Sequence, residues 1–156
     1  MPEIFAQHVS GFEREAPRLI KEAEKAGAPL FVLFIDMDGL KTVNDTMGHD
    51  QGDAYIMEVT TILRKIHKRG ELLMRYGGDE FVVLARGYSE EEAENYCEAI
   101  REAEEEANQK GLPFRVSIST GYVRKKAEKG FSLEEAIEEA DQRMYADKQK
   151  RKQGRE

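Results

Sequence analysis

Six consecutive apolar residues, Leu30-Phe31-Val32-Leu33-Phe34-Ile35, run directly into Asp36-Met37-Asp38-Gly39. A short run with no polar face and many β-formers is predicted as a strand buried on both sides, in the middle of a sheet. Such a strand commits the chain to a layered fold, because helices must cover both faces. It also makes the two aspartates at its mouth conspicuous. Asp36 follows Ile35 directly and is expected to be partly desolvated there. A buried carboxylate without a partner costs several kcal/mol or gives up its charge, unless a cation is present. The plainer alternative is that Asp36 or Asp38 caps the turn that follows.

The flanking segments supply the covering helices. Residues 4–26 carry Phe5, Val9, Phe12, Leu19 and Ile20 as a loose apolar face, and Gly27-Ala28-Pro29 stops that helix. A second helix is predicted from about Asp50 to His67, with Ile56, Val59, Ile62, Leu63 and Ile66 at helical spacing. Ser89 and Glu92 form a capping-box pattern for a third helix, and Ser132 with Glu135 opens a last one through about Lys148. Between them, Leu72-Leu73-Met74 and Phe81-Val82-Val83-Leu84 flank Gly77-Gly78, which is the pattern of a hairpin whose glycines accept positive φ. Phe114 to Val123 alternates as a strand. The hairpin makes part of the sheet antiparallel, so the expected class is α/β (α+β), a mixed sheet with helices packed over it, and not a doubly wound dinucleotide fold.

The hairpin tip reads Arg75-Tyr76-Gly77-Gly78-Asp79-Glu80-Phe81. Its glycines serve a turn and its acids solvate the tip, or the glycines let backbone approach a ligand beside two acids. If the hairpin pairs with the buried strand, Asp36 and Asp79 can share a divalent ion. Mg²⁺ favours one or two carboxylates, completed by waters and phosphate oxygens. That is the arrangement phosphoryl and nucleotidyl transfer require.

Gly77-Gly78-Asp79-Glu80-Phe81 resembles the signature of GGDEF domains, the bacterial diguanylate cyclases. A second block, Asp36-Met37-Asp38-Gly39-Leu40-Lys41-Thr42-Val43-Asn44-Asp45 with Gly48-His49 and Gly52-Asp53, resembles the family's other hallmark. The resemblance continues through Ser117-Ile118-Ser119-Thr120-Gly121 and Ala140-Asp141-Gln142-Arg143-Met144-Tyr145 to Lys148. It covers residues 30–152, with 1–29 an N-terminal helix, in a single catalytic domain spanning 1–156. It implies a palm-like sheet of about five strands, similar to nucleotidyl cyclases. It implies that two GTP condense into cyclic di-GMP with Mg²⁺ or Mn²⁺, two ions per site. Asp36, Asp79 and Glu80 with the Met37 carbonyl would hold metal, and Asp79, Glu80 and Lys41 would be catalytic. Leu40, Asn44, Asp53, Lys148 and Lys152 would bind substrate. A second copy of the domain would complete the reaction centre. The alternative is a catalytically weak module that binds GTP or cyclic di-GMP.

Asp53 has an independent rationale. Guanine offers N1–H and N2–H as adjacent donors that one carboxylate accepts together, and adenine offers no such pair. His49 matches a position without a catalytic role, and His8 and His67 carry no signal.

Two departures stand out. The family's inhibitory product site, R-x-x-D, corresponds here to Lys68-Arg69-Gly70-Glu71, and lysine lacks the planar fork of arginine. Feedback inhibition is therefore expected to be weak or absent. The opening turn that links many relatives to a sensor is also missing, so an N-terminal sensor outside this sequence is expected.

The remaining partners are bounded by composition. A net charge of −7 argues against nucleic acid, although Lys148-Gln149-Lys150-Arg151-Lys152 is a local cationic cluster suited to a small anion. No apolar run approaches the roughly 20 residues of a membrane span. The start shows no secretory pattern, and the single cysteine, Cys97, reads as a helix core position; the expected setting is cytoplasmic.

Overall fold

The computed structural model describes residues 2–154, with side chains from Gly11 onward. The elements follow the order α1 (Pro2–Ala26), β1 (Pro29–Met37), α2 (Leu40–Met47), α3 (His49–Ile66), β2 (Leu72–Arg75), β3 (Glu80–Arg86), α4 (Glu90–Asn108), β4 (Ile118–Lys126) and α5 (Leu133–Gly154). The sheet order is β2-β3-β1-β4, so the apolar strand is indeed central. Phe5 and Val9, expected on the inner face of α1, and His8 lie outside the residues with described side chains.

Alternation along β1 divides the core. Phe31, Leu33, Ile35 and Met37 point to one side, against Tyr55, Val59 and Leu63 of α3 and Tyr96, Cys97 and Ile100 of α4. Leu30, Val32 and Phe34 point to the other, against Phe12, Ala16, Leu19 and Ala23 of α1 and Ala136, Ile137, Ala140 and Met144 of α5. Because successive strand side chains point to opposite faces, an unbroken apolar strand requires both helical layers. Cys97 sits in that core, where burial pushes its thiol up to about 11. The α4 capping box is present, with Glu92 N–H donating to Ser89 Oγ at 3.1 Å and Ser89 N–H to Glu92 Oε1 at 3.2 Å.

The structure corrects the sequence reading in four places. Every pairing in the sheet is antiparallel rather than mixed. The crossover through α2 and α3 places β2 two strands from β1, with β3 folded back between them. Among the described residues four strands form instead of about five. Residues 114–117 do not join the ladder, because side chains take their backbone groups. The Asn108 carboxamide binds Val116 N–H and C=O at 2.7 and 2.8 Å, and Ser117 N–H donates to Tyr55 Oη at 3.0 Å. Strand β4 therefore begins at Ile118 and continues to Lys126.

The third correction is the helix α2, which the sequence reading passed over; Gly39 at φ 77 reverses the chain into it. The fourth is the hairpin tip, where neither Gly77 nor Gly78 has positive φ. The turn is held instead by Arg75, whose Nη2 donates to Gly78 O at 2.6 Å and whose Nε lies 3.2 Å from Gly77 O.

Gly121 is needed for close approach. A Cβ at this position would overlap backbone atoms of Arg143 and Met144 in α5. The Gly121→Ala variant must push α5 off β4 and is expected to lose about 2 kcal/mol or more of stability. Urea unfolding checks this, and a loss below about 0.5 kcal/mol would contradict the packing.

Candidate active site

The C-terminal end of β1, the β2–β3 tip, the start of β4 and the later turns of α5 converge at one edge of the molecule. Register brings them together: Asp36 lies opposite Glu80 on one side and Ser119 on the other. Beyond the ladder, Met37 N–H donates to Asp79 O at 2.9 Å, and Asp38 N–H to Ser117 O at 2.7 Å. The backbone thus fixes Asp36, Met37, Asp79 and Glu80 beside one another.

Asp36 is 4 % exposed. Its Oδ2 lies 2.7 Å from Lys148 Nζ, which is also 3.8 Å from Asp38 Oδ1. Burial lifts the Asp36 carboxyl from the ordinary 3.8 to about 6; the Lys148 hydrogen bond opposes that lift, and the nearby Asp79 and Asp38 charges add to it. Burial also raises Glu80, with Asp79 and Asp141 as the contributing charges. Burial disfavours the Lys148 ammonium, but Asp36, Asp38 and Asp79 more than offset this and hold it above its ordinary value.

Asp38 is fixed rather than free to cap a turn. Its Oδ2 accepts the hydroxyls of Ser117 and Ser119, both at 2.8 Å. Its Oδ1 is buried without a hydrogen-bond partner. The sequence reading quoted these serines without a role, although their period of two places them on one strand face.

The other candidates are placed less uniformly. The half-buried Asn44 of α2 packs directly over Gly52 of α3, where a Cβ would overlap its carboxamide. The neighbouring Asp53 is exposed, one residue beyond this α2–α3 contact. Leu40 packs at the edge of the core. The Lys41 side chain is 92 % exposed, with its Nζ 3.6 Å from Asp45 Oδ2. Lys152 is exposed, one turn beyond Lys148. His49 is exposed.

The residues present suit a divalent ion. Among the described residues no three His, Cys, Asp or Glu side chains form a ready cluster. Mg²⁺ does not require one, since one or two carboxylates suffice when phosphate and water complete the shell. Asp36 and Asp79 would supply these, with Met37 hydrogen-bonded through its N–H to the Asp79 carbonyl. The lysine ammonium between Asp36 and Asp38 marks the place where positive charge is wanted.

Comparison with known proteins settles the family. The model for "Diguanylate cyclase, GGDEF domain" matches residues 10–154. The chain belongs to the GGDEF family. Its fold is similar to the GGDEF domain of DgcB from Caulobacter crescentus in complex with c-di-GMP, at 26 % identity and TM-score 0.76, covering 90 % of this chain and 84 % of that one. The GGDEF domain of PA1120 from Pseudomonas aeruginosa matches at 27 % identity and TM-score 0.76, with 90 % and 89 % covered. An uncharacterized membrane protein of Staphylococcus haemolyticus is 31 % identical over 146 residues, which is 90 % of this chain and 40 % of that protein. A Staphylococcus aureus relative, also named a membrane protein, is 32 % identical over 74 % of this chain and 34 % of its own length. The chain thus spans a third to two-fifths of these curated relatives. Among its described residues no helix is long and apolar enough to cross a membrane.

The Lys68–Glu71 turn departs from an open ligand site. The Glu71 side chain is 2 % exposed. It accepts Lys68 N–H at 2.9 Å and the hydroxyls of Tyr88 and Tyr96. This carboxylate ties the turn to α4.

The raised Asp36 gives a signed prediction. An Asp that titrates near 6 when folded and near 3.8 when unfolded binds more protons in the folded state between those values. Stability therefore falls as pH rises through that window, and the penalty persists above it. Without divalent ions, Asp36→Asn is expected to be more stable than the parent at pH 7.5 by on the order of 2 kcal/mol, with the difference vanishing toward pH 4. Urea unfolding in chelator at both pH values tests it; a less stable variant at pH 7.5 would contradict the assignment.

Proposed function

We propose that this domain is a diguanylate cyclase, condensing two GTP into cyclic di-GMP with release of two pyrophosphates. The observation that carries the reading is the convergence of Asp36, Asp79 and Lys148 at the β1–β3 edge of a GGDEF domain. When bound, Mg²⁺ or Mn²⁺, two per site, would neutralise phosphate charge and favour an attacking alkoxide. Asp36, Asp79 and the Met37 carbonyl would hold it, with Glu80 in support.

The chain's own residues divide the remaining work. Asp53 and Asn44 read the guanine edge beside the α2–α3 contact, with Leu40 also touching substrate. Lys148 turns from Asp36 to the triphosphate, and Lys152 joins it one turn on. Lys41, at the first turn of α2, offsets developing charge on the phosphates once it leaves Asp45. Asp79 accepts the 3′-hydroxyl proton while the 3′-oxygen bonds to the α-phosphorus and pyrophosphate leaves.

One domain holds one GTP, so two copies must meet face to face for each 3′-oxygen to reach the other's α-phosphate. In a longer protein, an N-terminal sensor would control that encounter. The setting we infer is cytoplasmic, where GTP is available.

Incubation with GTP and Mg²⁺ is expected to yield cyclic di-GMP and pyrophosphate, identified by chromatography and mass. The product should be absent for Asp79→Ala, and specific activity should climb with protein concentration. Bound GTP without product at high protein concentration would leave a nucleotide-binding regulatory module instead. Because Glu71 is committed to Tyr88 and Tyr96, Lys68→Ala is expected to leave the response to added cyclic di-GMP unchanged. Submicromolar inhibition abolished by that substitution would overturn this expectation.

A further inference from the structure

Strand β4 is an edge of the sheet, and edge strands leave alternate backbone groups unpaired. Helix α5 meets that edge with polar side chains. Asp147 Oδ2 accepts the Thr120 N–H at 3.0 Å, and Arg143 Nη1 donates to Tyr122 O at 2.9 Å. The spacing is commensurate. Four residues of helix advance about 6 Å, and two residues of strand about 6.6 Å. One helical turn therefore matches one strand repeat, and the helix stands in for a further strand. Gly121, between the two bonded residues, lets the α5 backbone come close enough for short side chains to reach.

This seam ends where the active site begins. Ser119, one residue before Thr120, pairs with Asp36. Lys148, one residue after Asp147, reaches Asp36 at 2.7 Å. The side chain that holds the β4 edge at this end of the seam is thus the neighbour of the lysine that enters the site.

We propose that Asp147 is a positioning residue: by holding the Thr120 N–H of the β4 edge, it fixes the turn of α5 that presents Lys148 to the site. Asp147 touches no reacting atom, and its effect reaches substrate only through Lys148. The inference rests on the reading of Lys148 as a triphosphate-facing residue. Asparagine at 147 retains an acceptor oxygen for Thr120 N–H, and alanine does not.

The test is a double-mutant cycle on binding of the α,β-methylene analogue of GTP, which cannot release pyrophosphate, in Mg²⁺. Asp147→Ala is expected to weaken binding roughly three- to tenfold, as loss of one half-buried hydrogen bond allows, and Asp147→Asn to stay within about twofold of the parent. In a Lys148→Ala background, Asp147→Ala should weaken binding no further. An equal loss in both backgrounds would mean that Asp147 acts by general loosening, and would overturn the proposal. Normal binding by Asp147→Ala, with Lys148→Ala weakened, would also overturn it while leaving the cyclase reading intact. Unweakened binding by Lys148→Ala would sink the role of Lys148 and the proposal with it. If Asp147→Ala does not fold, amide exchange in the parent decides: a protected Thr120 N–H supports the seam, and a fast-exchanging one removes it.

Discussion

A strand that is apolar on both faces can end in carboxylates only where something offsets the cost of taking their charge out of water. Here Asp36 ends β1 at 4 % exposure, and the offset is the Lys148 ammonium 2.7 Å away. Much of the architecture serves that meeting. The β2–β3 hairpin lies against β1 so that Glu80 comes opposite Asp36, and β4 lies on the other side so that Ser119 does. Helix α5 then crosses the outer edge of β4 to deliver the lysine. A lysine pair leaves the site unsaturated. One ammonium faces Asp36 and Asp38 with Asp79 nearby, and Asp36 remains lifted to about 6 despite it. The arrangement retains a demand for more positive charge.

The sheet manages its edges by different means. At the β2 edge, α1 packs across a strand of only four residues. At β4, the longer and more exposed liability, α5 supplies a carboxylate and a guanidinium to backbone groups that would otherwise template a further strand. This explains why four strands suffice. It also explains why the last turns of α5 are fastened again, where Arg151 binds Glu104, whose Oε1 accepts Ile118 N–H at 2.9 Å. The basic tail that composition marks as a cationic cluster is therefore divided. Arg151 binds Glu104, Lys148 binds Asp36, and Lys152 is exposed.

The central strand, the hairpin, four of the five helices and the carboxylates at the β1 mouth were legible in the sequence, because each rests on a local pattern. The family resemblance then assigned roles that periodicity alone could not. What escaped depended on contacts distant in sequence. Helix α2 was hidden because its polar residues, Lys41, Asn44 and Asp45, interrupt an apolar face. The late start of β4 follows from Asn108 and Tyr55, which no alternation rule consults. Gly77 and Gly78 looked like a positive-φ turn, but Arg75 holds that tip by its carbonyls instead. The hold of Ser117 and Ser119 on Asp38 also spans about eighty residues, beyond any local reading.

Burial differs sharply between the two halves of the candidate site, and this bears on how it works. Asp36 is buried, Asp79 and Glu80 are half-buried, and backbone hydrogen bonds fix the segments that carry them. Preorganisation of this kind is what charge stabilisation during reaction requires, since groups already in place need no rearrangement as charge develops. Lys41, Asp53 and Lys152 are exposed, on α2, α3 and α5. Exposed charges have weak pairwise effects in water and gain strength only when a ligand or a second protein surface excludes solvent. A buried carboxylate floor beside exposed charges therefore suits a site that reaches full strength only when a ligand or protein surface excludes water.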